Sequence, residues 1–224
     1  MKLNVEIIEA ICFDIDGTIS DTDDIYVGKL ENYLKPFQSL LRNHDLHKLS
    51  RRIIMSIESP AHVLMGLPDL IGFDDEIYAF MDFLAKHVQR KPKEYLVVPG
   101  VREMLKNLKE KYPLSVVTAR DERTTVEFLE TTNLDKYFQF SAYAQTCRHT
   151  KPFPDPVQWV AEKMGVPVEK CLMVGDTIVD IQAGRSAGSQ TVGVLCGFGE
   201  KDELIRFGAN LILDTTAELS GIFE

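Results

Sequence analysis

Short apolar runs alternate with amphipathic stretches along most of this chain. The runs lack a clean polar–apolar alternation, which is typical of strands that are covered on both faces. The stretches between them carry apolar residues at helical spacing. This pattern predicts an α/β fold in which right-handed crossovers build an open parallel sheet. The predicted strands are residues 10–13, 114–117, 171–174, 191–195 and 210–213, and the predicted helices are residues 101–112, 122–131, 157–164 and 178–187.

One long segment, residues 21–93, breaks this alternation. It contains no run that predicts a buried strand, and prolines divide it into about four helical patterns. We therefore predict an α/β core formed by residues 1–20 and 94–224, with a helical cap subdomain, residues 21–93, inserted after the first strand. The clearest helical face in the insertion consists of Ile77, Phe80, Met81, Leu84 and Val88.

The charge balance narrows the classes of ligand. The 224 residues include 34 acidic and 25 basic side chains, which gives a formal net charge of −9. This negative charge disfavours nucleic acid and anionic membranes as partners and favours a small ligand. No segment has the apolar length of a membrane span or the pattern of a signal peptide, so we expect a cytoplasmic protein. The four cysteines form no CxxC pattern, which predicts reduced thiols.

Polar side chains stand where the predicted strands end. Asp14 and Asp16 follow the first strand, Thr118 follows the second and Asp176 follows the third. Because ligands collect at the carboxyl ends of parallel strands, we expect these residues to converge there. Lys151 lies in a connecting loop, where the sequence Lys-Pro-Phe-Pro-Asp-Pro predicts a stiff segment. Carboxylates near a core are costly unless they are paired or bind a metal, so a cation is expected at this edge.

Signals for the starts and ends of helices place further acidic residues. Asp155 is predicted to be the N-cap of the helix that follows the loop, with Pro156 at its first position and Gly165 at its end. Asp180 comes four residues after Asp176. If a helix begins just past the third strand, these two carboxylates lie close to each other across its first turn.

Phosphoryl transfer through an aspartyl phosphate requires the residue types that gather here. A carboxylate at Asp14 can attack phosphorus. Mg²⁺ is the expected cation, with Asp14, Asp176 and a backbone carbonyl near Asp16 as ligands. Thr118 and Lys151 can contact the transferred phosphoryl group. Asp16 can give a proton to the leaving alcohol and later take one from the attacking water.

Four motifs, in this order, resemble those of the haloacid dehalogenase (HAD) superfamily. They are DIDGTISD from residue 14, VVTAR around Thr118, TKPFPDP around Lys151 and GDTIVD at residues 175–180. The resemblance covers essentially the whole chain and implies a Rossmann-like core. The insertion resembles the type-1 cap of phosphoglycolate-phosphatase-like members. The implied roles are nucleophile for Asp14, acid/base for Asp16, phosphate binding for Thr118 and Lys151, Mg²⁺ binding for Asp14, the Asp16 carbonyl and Asp176, and support of the metal's waters for Asp180.

These features favour a phosphatase that acts on a small phosphorylated metabolite, and they leave the substrate open among phosphoglycolate, a sugar phosphate, a nucleotide and pyrophosphate. Asp16 argues for phosphate esters, because the dehalogenases of the superfamily lack this aspartate and the phosphonatases replace it with alanine. A phosphomutase resembling β-phosphoglucomutase is the main alternative, since it shares the motifs and the cap. A non-enzymatic phospho-receiver fits poorly, because its phosphorylated aspartate follows an internal strand.

Two further features carry less information. Arg120 follows Thr118 closely, and the sequence does not decide between contact with the substrate and pairing with a nearby acid. The stretch CGFGE, residues 196–200, has too few spaced glycines for a dinucleotide-binding fingerprint, and we interpret it as a loop.

Overall fold

The computed structural model describes residues 2–35, 46, 50 and 95–223. The chain forms two compact units, of which one contains residues 1–21 and 95–224 and the other contains residues 22–94. The helices of the described residues are α1 (Thr22–Leu34), α2 (Val101–Lys109), α3 (Glu122–Thr131), α4 (Asp155–Met164), α5 (Ile178–Ala187), α6 (Lys201–Phe207) and α7 (Leu219–Ile222).

The larger unit is built on a parallel sheet. Within the described residues the sheet has six strands in the order β3-β2-β1-β4-β5-β6, and every neighbouring pair is parallel. This arrangement confirms the predicted α/β fold and open parallel sheet. The direction of winding reverses between β1 and β4, which is where doubly wound sheets form their ligand crevice. The strands are β1 (Ala10–Phe13), β2 (Leu114–Val117), β3 (Phe140–Ala142), β4 (Cys171–Gly175), β5 (Gln190–Val194) and β6 (Leu211–Leu213).

Helices cover both faces of this sheet. Ile11 and Phe13 of β1 pack in one core cluster with residues of α2, α3 and α7. Ala10 and Cys12 pack in a second cluster with residues of α4 and α5. Because both alternating sets of side chains are buried, the strand has no polar–apolar alternation, which explains the continuous apolar run in the sequence. All four cysteines are free thiols, and Cys12 is among the buried ones.

The sequence pattern does not predict β3. This strand has three residues and lies at the edge of the sheet, and its first two side chains, Phe140 and Ser141, are half-buried. A strand of this length and burial lacks the compact apolar run that identifies the central strands.

The start of α4 differs from the prediction by one residue. Asp155 is the first helical residue and Pro154 is the N-cap, so the prediction that Asp155 caps this helix is wrong. Pro154 already has helical backbone angles, φ −71° and ψ −20°, and the helix therefore starts one residue earlier. The proline ring contributes by fixing φ near the helical value. Gly165 ends the helix in the left-handed conformation, with φ 71°, as predicted.

In the smaller unit, α1 buries Val27, Leu30 and Leu34, which share one helical face. The predicted helical face between Ile77 and Val88 lies outside the described residues, so the helical cap stays a prediction. In the part of the chain that the structure describes, no helix combines the length and the apolar character that are needed to cross a membrane.

Candidate active site

Three of the predicted site residues come directly after three neighbouring strands. Asp14 follows β1, Thr118 follows β2 and Asp176 follows β4, and β1 lies between the other two strands. The N–H of Asp14 donates to the carbonyl of Val174 at 2.9 Å, and the N–H of Thr118 donates to the carbonyl of Ala142 at 2.9 Å. Sheet hydrogen bonding thus extends to these positions, and all three residues are buried. They lie at the carboxyl edge of the sheet, as predicted.

Lys151 reaches this edge from the loop before α4. Its Nζ atom donates to Oδ1 of Asp14 at 2.5 Å and to Oδ1 of Asp180 at 2.7 Å. The residue is only 4% exposed, so its charge is in a medium where electrostatic interactions are strong. Burial disfavours the charged ammonium, but the carboxylates of Asp14 and Asp180 outweigh this effect and raise the pKa of Lys151. The side chain is therefore a fixed cation at the predicted nucleophile.

Asp180 is held by the first turn of α5. The backbone N–H of Thr177 donates to Oδ2 of Asp180 at 3.0 Å, and the Thr177 hydroxyl donates to the same oxygen at 2.6 Å. This is one half of a capping box, which stabilises the helix start. Since Oδ2 faces the cap, Oδ1 is the oxygen that accepts from Lys151. Asp180 thereby joins the helix start to the lysine.

The carboxylates of Asp14, Asp176 and Asp180 form one buried cluster. Each offers an oxygen atom, and the three atoms lie within 4.8 Å of one another. Burial, assisted by the charges of Asp180 and Asp16 and opposed by Lys151, raises the pKa of Asp14 to about 7. Burial and the charges of Asp180 and Asp14 raise the pKa of Asp176 well above its usual range. The cluster therefore favours any ligand that adds positive charge.

The donor set of this cluster fits the predicted metal. One ammonium, that of Lys151, faces three buried carboxylates, so ionisation of all three leaves an excess of negative charge that a divalent cation would balance. The available side-chain donors are oxygen atoms, which suit a hard cation such as Mg²⁺. Both predicted side-chain ligands, Asp14 and Asp176, belong to the cluster. The Asp16 carbonyl as a further ligand stays a prediction.

The carboxylate of Asp16 has a different partner. The Nε atom of Arg120 lies 2.9 Å from Oδ1 and 2.7 Å from Oδ2 of Asp16, and Nη2 of Arg120 also contacts Oδ1. The backbone N–H of Arg120 donates to the hydroxyl oxygen of Thr118 at 3.1 Å. That bond leaves the hydroxyl proton of Thr118 as a donor. Of the two possibilities that the sequence left open for Arg120, the structure shows pairing with an acid.

The loop after β5 fixes Asp176, which the sequence did not predict. The backbone N–H of Phe198 donates to Oδ2 of Asp176 at 2.7 Å. The adjacent Gly197 approaches this carboxylate so closely that no side chain fits there. Residues 196–200 are thus a loop, as predicted, but one that positions an acidic side chain. One sequence holds no usable signal for this role, because the donor is a backbone N–H and almost every residue has one.

The six predicted residues fall into two connected groups. Direct contacts and short distances join Asp14, Lys151, Asp176 and Asp180. Arg120 links Asp16 to Thr118. All six follow from the sequence, and their catalytic roles stay predictions at this point.

The chain is similar to several known proteins. A relative from Bacillus mycoides, named pyrophosphatase PpaX, is 26% identical over 225 residues, which covers 100% of this chain and 98% of the relative. A HAD-like hydrolase from Streptococcus pneumoniae has a solved structure with a TM-score of 0.71 and 21% identity, covering 98% of this chain and 100% of the other. A protein from Haemophilus somnus, titled a predicted phosphoglycolate phosphatase, has a TM-score of 0.70 and 21% identity, covering 97% and 99%.

The family model gives the decisive match. The model described as haloacid dehalogenase-like hydrolase matches residues 11–194, which contain all four motifs and the insertion between the first two. The match confirms the superfamily resemblance and the expectation of an enzyme, while the two solved structures confirm the fold. The chain belongs to the haloacid dehalogenase-like hydrolase family.

Proposed function

We propose that this protein is a Mg²⁺-dependent phosphatase that hydrolyses a small organic phosphomonoester through a phosphorylated Asp14. The observation that carries the proposal is the contact between Lys151 and Asp14 inside a buried cluster with Asp176 and Asp180. A buried carboxylate beside a fixed cation, at the point where the winding of the sheet reverses, is suited to attack on an anionic substrate.

In the first step, a carboxylate oxygen of Asp14 forms a bond to phosphorus, and the bond between phosphorus and the leaving alcohol oxygen breaks. Lys151 offsets the charge of Asp14 and of the phosphoryl oxygens. The Thr118 hydroxyl donates to one of these oxygens. Asp16 in its acid form gives its proton to the departing alcohol. The products are an aspartyl phosphate and the free alcohol.

In the second step, a water molecule attacks the phosphorus of the aspartyl phosphate. Asp16, now a carboxylate, takes the proton of this water, and the bond between Asp14 and phosphorus breaks to release inorganic phosphate. The same residue acts as acid and then as base, so one carboxylate serves both steps. The position of Asp16 two residues beyond Asp14, outside the carboxylate cluster, is consistent with this role.

Asp14 and Asp176 would hold Mg²⁺, with the Asp16 carbonyl as a third ligand and Asp180 supporting the metal's waters. When bound, Mg²⁺ supplies positive charge that reduces repulsion between the carboxylate and the phosphoryl group. The oxygen-only cluster with its excess of negative charge supports this assignment. We further propose that substrate choice resides in residues 21–93.

Inorganic pyrophosphate is a second candidate substrate. The observation that favours it is the name pyrophosphatase carried by relatives that match this chain over nearly its whole length, such as that of Bacillus mycoides. Pyrophosphate presents the same terminal phosphoryl group to Asp14, with phosphate rather than an alcohol as the leaving group.

The test is a panel of phosphomonoesters and pyrophosphate near neutral pH, with Mg²⁺ or with EDTA, and phosphate release as the readout. Asp14→Asn is the test variant, and Asp135→Asn, at an exposed aspartate away from the site, is its matched control. We expect release that needs Mg²⁺, persists in the control and falls by roughly 10³-fold or more in Asp14→Asn. Metal-independent release, or undiminished release by Asp14→Asn, contradicts the mechanism.

The same panel separates the alternatives. Faster turnover of pyrophosphate than of any ester would assign the second candidate. Dependence on a trace of sugar bisphosphate, without net phosphate release, would instead assign a phosphomutase. Phosphorylation of Asp14 without turnover of any substrate would assign a receiver.

A further inference from the structure

Arg120 and Asp16 form a charged contact outside the carboxylate cluster. Three contacts join the guanidinium of Arg120 to both carboxylate oxygens of Asp16. The two side chains are 17% and 26% exposed, so the pair is partly shielded from water. We propose that Arg120 is a positioning residue that fixes the orientation of the Asp16 carboxylate for proton transfer. This inference rests on the proposed phosphatase function.

Arg120 is itself fixed by its backbone and by its side chain. Its carbonyl accepts from the N–H of Ala144 at 2.9 Å, and its N–H donates to Thr118 Oγ1 at 3.1 Å. Its guanidinium lies over the ring of Phe128, 5.2 Å from the ring centroid. Phe128 is fully buried and makes an edge contact with Tyr95 at 5.6 Å between centroids. A guanidinium held in this way can act as a rigid support for a second side chain.

The chemistry of the two groups assigns them different tasks. Arginine has donors only and stays protonated in proteins, so Arg120 cannot serve as the acid or the base. A carboxylate has about four acceptor sites, so the contacts from Arg120 leave room for an oxygen atom of the substrate or of water. Arg120 therefore acts on the reaction through Asp16. Without it, the Asp16 side chain would turn freely about its two torsions and be correctly oriented for a smaller fraction of the time.

The contact also couples two parts of the site. Thr118 is proposed to donate a hydrogen bond to the phosphoryl group, and Asp16 is the proposed proton donor. Both residues are hydrogen-bonded to Arg120. Arg120 thereby sets the position of the Asp16 carboxylate relative to the Thr118 hydroxyl. A direct contact between Arg120 and the substrate is the competing interpretation, and the two make different predictions for kinetics.

The readout is the dependence of kcat/KM on the leaving group. An alkyl phosphate needs a proton on its departing oxygen, whereas p-nitrophenyl phosphate releases a stable phenolate and needs little acid assistance. We expect Arg120→Met to lower kcat/KM for the alkyl phosphate by about tenfold or more, a part of the roughly 10²- to 10⁴-fold that general acid catalysis supplies. For p-nitrophenyl phosphate we expect a loss of less than about threefold. The ratio of the two kcat/KM values therefore falls.

Three comparisons make this test specific. Arg123→Met, at an exposed arginine in the first turn of α3, is the matched control and should keep the wild-type ratio. Asp16→Asn should lower the ratio further, and adding Arg120→Met to it should not change the ratio again, because the two residues act as one unit. Arg120→Lys keeps the positive charge but loses the planar guanidinium, whose N–H groups contact both carboxylate oxygens of Asp16. This variant should therefore give an intermediate ratio. If the methionine variant does not fold, the lysine variant decides.

Equal loss for both substrates in Arg120→Met, or a higher KM with an unchanged ratio, overturns the inference. A further fall of the ratio when Arg120→Met is added to Asp16→Asn also overturns it. If the wild-type protein turns over no phosphate substrate, the proposed function fails and this inference fails with it. Wild-type turnover that Asp14→Asn abolishes, together with an unchanged ratio in the arginine variants, overturns the inference alone.

Discussion

A Cβ atom at Gly197 would lie 2.1 Å from Oδ2 of Asp176. The same Oδ2 accepts from the N–H of Phe198 at 2.7 Å, so the loop backbone sets the position of this carboxylate directly. Gly17, with φ 68°, approaches the same oxygen atom of Asp176 with similar closeness. Asp176 is thus enclosed by backbone, and its orientation depends on the absence of side chains at these glycines.

The first prediction concerns this enclosure. Gly197→Ala should push the Asp176 carboxylate out of place and weaken Mg²⁺ binding by about 10- to 100-fold, a loss typical of disturbed support around a metal site. The measurement is titration of Mg²⁺ by calorimetry, with the Mg²⁺ dependence of activity as a second readout. Gly221→Ala is the control, because a Cβ atom there meets nothing within 4 Å. Wild-type Mg²⁺ affinity in Gly197→Ala would show that the loop does not position the metal ligand.

The second prediction concerns Lys151. Lys151→Met removes the cation that Asp14 and Asp180 share, which leaves buried carboxylates without their partner. Breaking a buried ion pair in this way should lower the free energy of unfolding by about 3–5 kcal/mol in EDTA. Mg²⁺ should restore part of the loss, since it supplies positive charge to the same cluster. Urea unfolding with and without Mg²⁺ measures both effects.

Lys106→Met, at an exposed lysine of α2, is the control for this measurement. Its effect should stay within about 0.5 kcal/mol, as for most surface substitutions. A loss in Lys151→Met no greater than that of the control would mean that the ion pair contributes no net stability.

The third prediction concerns pH. The pKa of Asp14 is raised from 3.8 to about 7, so the folded metal-free protein keeps a proton that the unfolded chain gives up. The stability that this proton provides is fully present below about pH 4 and is lost as pH rises through about 7. The melting temperature in EDTA should therefore fall over this range relative to that of Asp14→Asn, in which the group no longer titrates.

Mg²⁺ should reverse this trend. Binding to an ionised carboxylate becomes easier as pH rises, so the increase in melting temperature on adding Mg²⁺ should be larger at pH 7.5 than at pH 5. Equal Mg²⁺ stabilisation at both pH values would indicate that the ion does not bind at the titrating cluster.

The fourth prediction separates Asp16 from the metal ligands. Asp16→Ala should slow formation and hydrolysis of the phosphoenzyme by about 10²- to 10⁴-fold, because each step uses this residue for proton transfer. Its Mg²⁺ affinity should be nearly that of the wild type, since its carboxylate pairs with Arg120 rather than with the cluster. Asp176→Asn should show the opposite pattern, with a large loss of Mg²⁺ affinity. Loss of metal binding in Asp16→Ala would contradict the assigned roles. Rapid-quench kinetics and calorimetry provide the two measurements.

The residues at strand ends could be predicted from the sequence because the strands themselves could be. Buried parallel strands produce compact apolar runs, and the polar residue that ends each run marks the edge of the sheet. Asp14, Thr118 and Asp176 follow from this rule alone. Lys151 and Asp180 were predicted from their motifs, but the hydrogen bond between them was not, because it depends on how the loop before α4 meets the start of α5.

Two components of the site left no usable signal in one sequence. The partner of Arg120 depends on the path of the chain after β2, which brings its side chain to Asp16 across 104 positions of sequence. The hydrogen bond from Phe198 to Asp176 is donated by a backbone N–H, and almost every residue has such a donor. Contacts of this kind arise from tertiary packing, so they become visible only when the strands are placed side by side.

The central position of β1 has a consequence for biosynthesis. β1 precedes the other five strands of the described sheet in the chain, yet it lies between β2 and β4. While the ribosome is still translating the residues before Cys171, one side of β1 has no strand to pair with. An open strand edge invites pairing with other chains, so a nascent polypeptide that stalls in this interval is prone to aggregate. Completion of β4 closes that edge of β1 and brings Asp176 beside Asp14, whereas the loop that orients Asp176 is translated only after β5.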